Sequence, residues 1–227
     1  MIKHPFALPM PVLLGRDARE VMAVFTGREG EYLESRRQLG ISLERVYATP
    51  DMAVAYVEAA WDYDTLRRAM AQSEREADRA YAAQLLAVHG IDLEQAEPEP
   101  RLLGEWLDPA VTKHHLGLAF AARLAPGQAA AAGQLAEDAF GHRRYENMMS
   151  RRAAGIVAER IFLAGDLVAF YIEADDPGEA LWRLRVSQTV HDRWFKDQVK
   201  DICEGLDLDE PLAVETVWDQ DLEAVPA

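Results

Sequence analysis

Residues Ser150–Ala174 read SRRAAGIVAERIFLAGDLVAFYIEA, and residues Ser35–Ala59 read SRRQLGISLERVYATPDMAVAYVEA. The two stretches align without a gap. Ser-Arg-Arg, Gly40/Gly155, Ile41/Ile156, Glu44/Glu159, Arg45/Arg160, Asp51/Asp166, Tyr56/Tyr171 and Glu58/Glu173 are all retained. The match continues more loosely downstream. Ser73 and Asp78-Arg79 answer Ser187 and Asp192-Arg193, and Ile91-Asp92-Leu93 answers Leu206-Asp207-Leu208. Two copies are too few for a solenoid, so the chain reads as a duplicated unit with boundaries at 1–108 and 109–227.

Each copy has the same order of signals. Phe6–Leu14 and Leu116–Leu124 read as first strands. Helical stretches follow over Asp17–Leu39 and Gln128–Ala154, each closed by a glycine, Gly40 or Gly155. LERVYA and AERIFLA are short β-rich runs, Thr49-Pro50-Asp51 and Ala164-Gly165-Asp166 are turns, and AVAYVEA and LVAFYIEA complete two hairpins. A second helical stretch spans Asp64–Val88 and Gly178–Ile202, and a last strand lies near Leu102–Leu107 and Ala213–Trp218. The order β-α-β-β-α-β is the ferredoxin-like split βαβ unit, so the fold class is α+β.

A four-stranded sheet with helices on one face leaves its other face to be covered. Along the third strand Val168, Phe170 and Ile172 fall on the side suited to the helices. Ala169, Tyr171 and Glu173, with Val54, Tyr56 and Glu58 in the first copy, fall on an amphipathic side. Two linked units can cover each other there. The expectation is two tandem units packed sheet to sheet as an intramolecular dimeric α/β barrel.

Composition bounds the partners. Among 227 residues, 24 Lys and Arg against 39 Asp and Glu give a net charge of −15, unfavourable for nucleic acid or an anionic membrane. No run approaches the roughly 20 apolar residues of a membrane span, and the early prolines Pro5, Pro9 and Pro11 break the first apolar run. Cys203 is the only cysteine, which suits a reducing compartment. A cytoplasmic location is expected.

The motif R-R-x-x-G-I-x-x-E-R-aromatic ahead of a hairpin resembles the dimeric α/β-barrel superfamily, and the hairpin GDLVAFYIEADDP is similar in style to tetracenomycin-type polyketide cyclases and SchA/CurD-like proteins. The resemblance implies a central pocket. By itself it implies little about chemistry; together with the Tyr/Glu face of the hairpins it points to an enzyme of aromatic or polyketide-like molecules that works by proton transfer, in cyclisation, isomerisation or cofactor-free oxygenation. A non-catalytic ligand-binding or accessory protein is the alternative. The partner expected is a small apolar or aromatic molecule, and a homodimer of the pseudo-dimeric chain is compatible with this reading.

The catalytic candidates are Glu173 and Tyr171, two apart on one strand face, with Arg160 on the neighbouring strand. A buried carboxylate with few partners has a raised pKa and can shuttle protons, while a phenol can hold an enolate oxygen. The competing reading pairs Glu58 with Arg45 and Glu173 with Arg160 as structural ion pairs. Tyr56, Glu58, Arg45, Trp194 and Phe195 are the candidate substrate-binding residues, although Trp182, Trp194 and Phe195 at helical spacing also suit a core. The basic run His142, Arg143, Arg144, Arg151 and Arg152 reads as a solvated helix face. No metal is expected, because the six histidines lack paired ligand spacing; His114 and His115 are adjacent. No cofactor is expected either, with haem on His191 as the minor alternative. The chain has no G-x-G-x-x-G, P-loop or G-x-S-x-G motif.

Overall fold

The computed structural model describes residues 3–95 and 98–223 and divides into two compact units, residues 1–100 with 215–227 and residues 101–214. The first repeat holds β1 (His4–Pro11), α1 (Arg19–Ala23), α2 (Glu29–Gln38), β2 (Ile41–Ala48), β3 (Met52–Ala59), α3 (Tyr63–Ala71), α4 (Glu76–His89) and β4 (Arg101–Leu107). The second holds β5 (Leu116–Arg123), α5 (Ala129–Glu137), a π-helical turn (Asp138–His142) and α6 (Arg144–Ala154). It continues with β6 (Ile156–Ala164), β7 (Leu167–Ala174), α7 (Pro177–Val186), α8 (Val190–Ile202) and β8 (Glu215–Asp221). The duplicated α+β, ferredoxin-like order is thus present.

Each helical stretch is two helices rather than one. Between α7 and α8, Thr189 turns outward and caps α8, its hydroxyl accepting from the Asp192 amide. Gly155 closes α6 in the left-handed region at φ +85°, where a side chain would be strained. The last strand begins at Glu215, two residues later than the sequence reading.

The sheets are antiparallel, in the orders β1-β3-β2-β8 and β4-β6-β7-β5. The last strand of each repeat therefore completes the sheet of the other repeat. The repeats at 1–108 and 109–227 describe the duplication in sequence, while the compact units exchange β4 and β8. Glu105 stands opposite Arg160 and Asp219 opposite Arg45, so each exchanged strand presents an acid to the equivalent arginine of the two repeats.

The position beside that acid tells the strands apart. Trp218 stands opposite Val46, and its indole meets the Tyr32 ring at 5.0 Å in a T-shaped contact. Gly104 stands opposite Ile161, and a Cβ there would fall inside the Phe140 ring of the π-helical turn. Tyr32 and Phe140 thus specify different edge strands. Gly104→Ala should cost about 1–3 kcal/mol by overpacking. Chemical denaturation of the variant checks this; an unchanged midpoint would show that Phe140 yields freely.

All eight residues of β3 and all eight of β7 are buried. In unit 2, Phe120 and Phe170 stack at 5.1 Å, and with Val168 they cluster against Phe195, Val199 and Ile202 of α8. Ile172 packs with Ala154 and Ala180. Val168, Phe170 and Ile172 face the helices, as the alternation requires, and each buried side chain contributes about 2 kcal/mol by leaving water.

Candidate functional site

Tyr171 and Glu173 lie on one face of β7, opposite to Phe170 and Ile172. Tyr171 is fully buried and Glu173 is 3% exposed. The Tyr171 hydroxyl donates to Glu173 Oε1 at 2.7 Å. Pairing of β5 with β7 places Gly117 opposite Glu173, which carries the residues just ahead of β5 to the same carboxylate. His114 Nδ1 lies 2.9 Å from Glu173 Oε1, and the His115 amide donates to Oε2 at 3.2 Å. The His115 ring turns away to Asp175 at 2.8 Å.

Burial pushes the Glu173 carboxyl up, but the hydrogen bonds from His114 and Tyr171, the charge of His114 and the His115 amide outweigh it. The group is held below the ordinary carboxylate value. This corrects the expectation of a raised pKa: Glu173 has the partners that such a shift requires to be missing. It is an anion at neutral pH, better suited to orienting a histidine than to giving up a proton.

Arg160 stands opposite Tyr171 in register, and its Nε donates to Glu105 Oε2 at 2.8 Å. In unit 1 the Tyr56 hydroxyl donates to Glu58 Oε1 at 2.7 Å, Lys3 Nζ lies 3.8 Å from Glu58, and Arg45 Nε donates to Asp219 at 2.9 Å. The tyrosine–glutamate pair is therefore duplicated, whereas the histidine belongs to unit 2. His114 is not among the sequence candidates, because the adjacency of His114 and His115 speaks only against metal ligation. The antiparallel pairing of the first and third strands was the signal that could have found it.

The helix-facing side of each sheet carries a second, buried polar cluster. In unit 1 Arg36 donates from Nε to Glu44 Oε2 at 2.7 Å and lies 3.5 Å from Asp78, while Ser35 and Ser73 donate to Asp78 at 2.5 and 2.6 Å. Three rings enclose the guanidinium, Phe25, Tyr32 and Tyr81, at 4.9, 5.0 and 4.7 Å. In unit 2 the equivalents are Arg151, Glu159, Asp192, Ser150 and Ser187, with Nε of Arg151 2.8 Å from Glu159. Burial raises the Asp192 carboxyl, but the hydroxyls of Ser150, Ser187 and Thr189 together with Arg151 bring it below its ordinary value. Arg151, read in sequence as part of a solvated face, is 1% exposed. It sits on the inward stripe of α6 with Asn147, Ser150 and Ala154, while Arg152 points outward to Asp108 at 2.9 Å.

Unit 2 departs from unit 1 at one corner of this cluster. Tyr32 donates to Glu44 and accepts from Trp218, whereas the equivalent Asn147 donates to Glu159 at 3.3 Å and meets His191 Nε2 at 3.1 Å. His191 is buried, and its Nδ1 has no hydrogen-bond partner. Phe195 is buried with Arg151 stacked over it at 4.8 Å, and the half-buried Trp194 carries Arg143 at 4.4 Å. Both aromatics lie on the helix side, so the structure does not bring them to Tyr171 and Glu173. Phe195 instead helps to line a cavity of about 240 Å³ between the sheet and the α7–α8 region of unit 2.

Among the described residues no group of three His, Cys, Asp or Glu side chains could hold a metal ion, and no helix is long and apolar enough to cross a membrane. Cys203 is buried, and burial pushes its thiol up to about 12.

No family model matches the chain, and no curated protein matches it. Solved structures do. An anthrone oxidase-like protein aligns over 94% of this chain and 93% of its own at 11% identity, with a TM-score of 0.51. A candidate monooxygenase from Lactobacillus acidophilus NCFM aligns over 95% and 93% at 6% identity, with a TM-score of 0.50. An uncharacterized ferredoxin-fold protein from Listeria monocytogenes, related to antibiotic biosynthesis monooxygenases, covers 94% and 90% at 9% identity and a TM-score of 0.39. At such identities the likeness is one of fold, and it extends over nearly the whole chain.

Proposed function

We propose that this protein is a small-molecule enzyme acting on aromatic or polyketide-like substrates by proton transfer, with His114 as the base and Glu173 and Tyr171 holding it. One observation carries the reading: a phenol, an imidazole and a backbone amide converge on a single buried carboxylate. With Nδ1–H directed at Glu173, the lone pair of His114 resides on Nε2. The carboxylate then stabilises the imidazolium formed when Nε2 takes a proton. The His114 side chain is 22% exposed, enough for a substrate to reach it.

Removal of an acidic C–H from an aromatic ketone starts cyclisation and isomerisation alike. The same step opens an anthrone to dioxygen. The proton passes to His114 Nε2 and the carbanion gives its electrons to oxygen; overall one anthrone and one dioxygen yield one anthraquinone and one water. No cofactor is required for this course. The polyketide-cyclase style of the hairpin and the anthrone oxidase-like neighbour support the substrate class.

Anthrone in air-saturated buffer near neutral pH is the test substrate, followed by anthraquinone absorbance. The wild type should accelerate its loss, and His114→Gln should slow it by about 10²–10⁴-fold, the usual worth of a general base. No acceleration by the wild type, or equal rates in the two proteins, would favour the ligand-binding or accessory role.

A further inference from the structure

The outer helical face of unit 2 keeps apolar side chains where the same face of unit 1 keeps charges. Tyr145, Met149 and Ala153 follow one another at intervals of four on α6 and share one stripe. With Val190, the first residue of α8, they line a groove of about 380 Å³ between α6 and the α7–α8 corner, away from the sheet. Tyr145 is 68% exposed, Met149 49% and Val190 74%. Val186, beside the lining Ser187, is exposed as well.

The duplication supplies a control. Met149 corresponds to Glu34 and Val190 to Glu76, and in unit 1 both acids are ion-paired, Glu34 with Arg75 at 2.8 Å and Glu76 with Arg28 at 3.2 Å. Tyr145 corresponds to Gly30 and Thr189 to Arg75, while Arg143, the counterpart of Arg28, is drawn over Trp194 instead. One scaffold thus carries a charged face in unit 1 and an apolar face in unit 2, so the fold does not require the apolar one. The exposed charges on the groove lining are one of each sign, Glu146 and Arg183. On a chain of net charge −15 most surfaces repel their own copy, whereas this one is balanced. Its exposed apolar side chains amount to roughly 400 Å², the scale at which a patch marks an interaction site. With a polar rim around it, such a patch reaches the roughly 800 Å² per partner of a stable dimer.

We propose that this face is the contact between two copies of the chain, paired about a two-fold axis with the α6 stripes buried against each other. An isologous contact sets the same patch on both sides, so the two signs on its rim are matched reciprocally and each side chain counts twice. The contact does not depend on proton transfer at His114.

Analytical ultracentrifugation of the whole chain tests the contact. The wild type should sediment as a dimer at about 100 μM, a concentration at which an interface of this size is populated. Met149→Glu with Val190→Glu installs the unit 1 residues and sets acid against acid, so the dimer should weaken by more than about a hundredfold. Should circular dichroism show that this variant fails to fold, Tyr145→Ser takes its place, with a weakening of about tenfold. Leu86→Glu, at an apolar position of unit 1 that is 51% exposed, should leave the dimer as it is. A wild type that stays monomeric overturns the proposal and leaves the groove to a different partner. A dimer that survives the double variant, or one that Leu86→Glu dissociates, places the contact on another face and overturns it as well. The role of His114 is read separately by anthrone turnover.

Discussion

Arg36→Met is expected to destabilise the protein by about 3–5 kcal/mol, a fall of order 10 °C in melting temperature for a chain of this size. Arg36 is fully buried, and so are the carboxylates of Glu44 and Asp78 that it serves. Methionine keeps the apolar stem among Phe25, Tyr32 and Tyr81 but leaves two acids facing no cation. The cost is the desolvation of unpaired charge rather than the lost attraction, so a second change should relieve it. Arg36→Met combined with Glu44→Gln should recover part of the loss, since Asp78 still receives two serine hydroxyls and Tyr32 can donate to the amide oxygen. Thermal melts of the single and double variants decide the matter. A single variant within 2 °C of wild type, by the same scaling, would mean that water reaches the cluster.

That cluster was visible in the sequence without being recognised. Ser-Arg, Glu and the later Ser and Asp recur in both copies, and a charged set retained through duplication while the surrounding helix changes is a mark of burial. Composition pulled the other way, since a dense basic run within an acidic chain resembles a solvated face. The periodicity of α6, with Asn147, Ser150, Arg151 and Ala154 on one stripe, settles it. The strands and their facing were legible for a simpler reason: alternation along β7 fixes which residues meet the helices. The exchange of β4 and β8 was not legible. Glu105 and Asp219 offer the same charge at the same register, so only the bulk beside them, glycine in one and tryptophan in the other, selects a partner. That selection depends on Phe140 and Tyr32, which lie far away in sequence. His114 was hidden in a similar way, because it reaches Glu173 only after the first and third strands of the repeat have paired.

Glu173→Gln should have two effects, and their combination tests the proposed base. An amide in place of the carboxylate cannot accept from Tyr171, His114 and the His115 amide together, because its NH₂ end opposes at least one of these donors. Stability at neutral pH should fall by about 1.5–3 kcal/mol, the range for hydrogen bonds to a charged group. The imidazole also loses the anion that fixes Nδ1–H and stabilises its charged form, so anthrone turnover should fall with that of His114→Gln. The pH dependence separates these effects from a general loss of packing. The folded pKa of Glu173 lies below its unfolded value, so its contribution to stability is complete above the unfolded value, near pH 4.3, and disappears as the pH falls through the lower, folded one. Wild type and Glu173→Gln should accordingly differ most at neutral pH and converge in acid, where both carry a neutral side chain at this position. Melting curves from pH 7 down to pH 3 measure the convergence. A constant gap across that range would assign the loss to shape alone and leave His114 without the anion on which its role as a base depends.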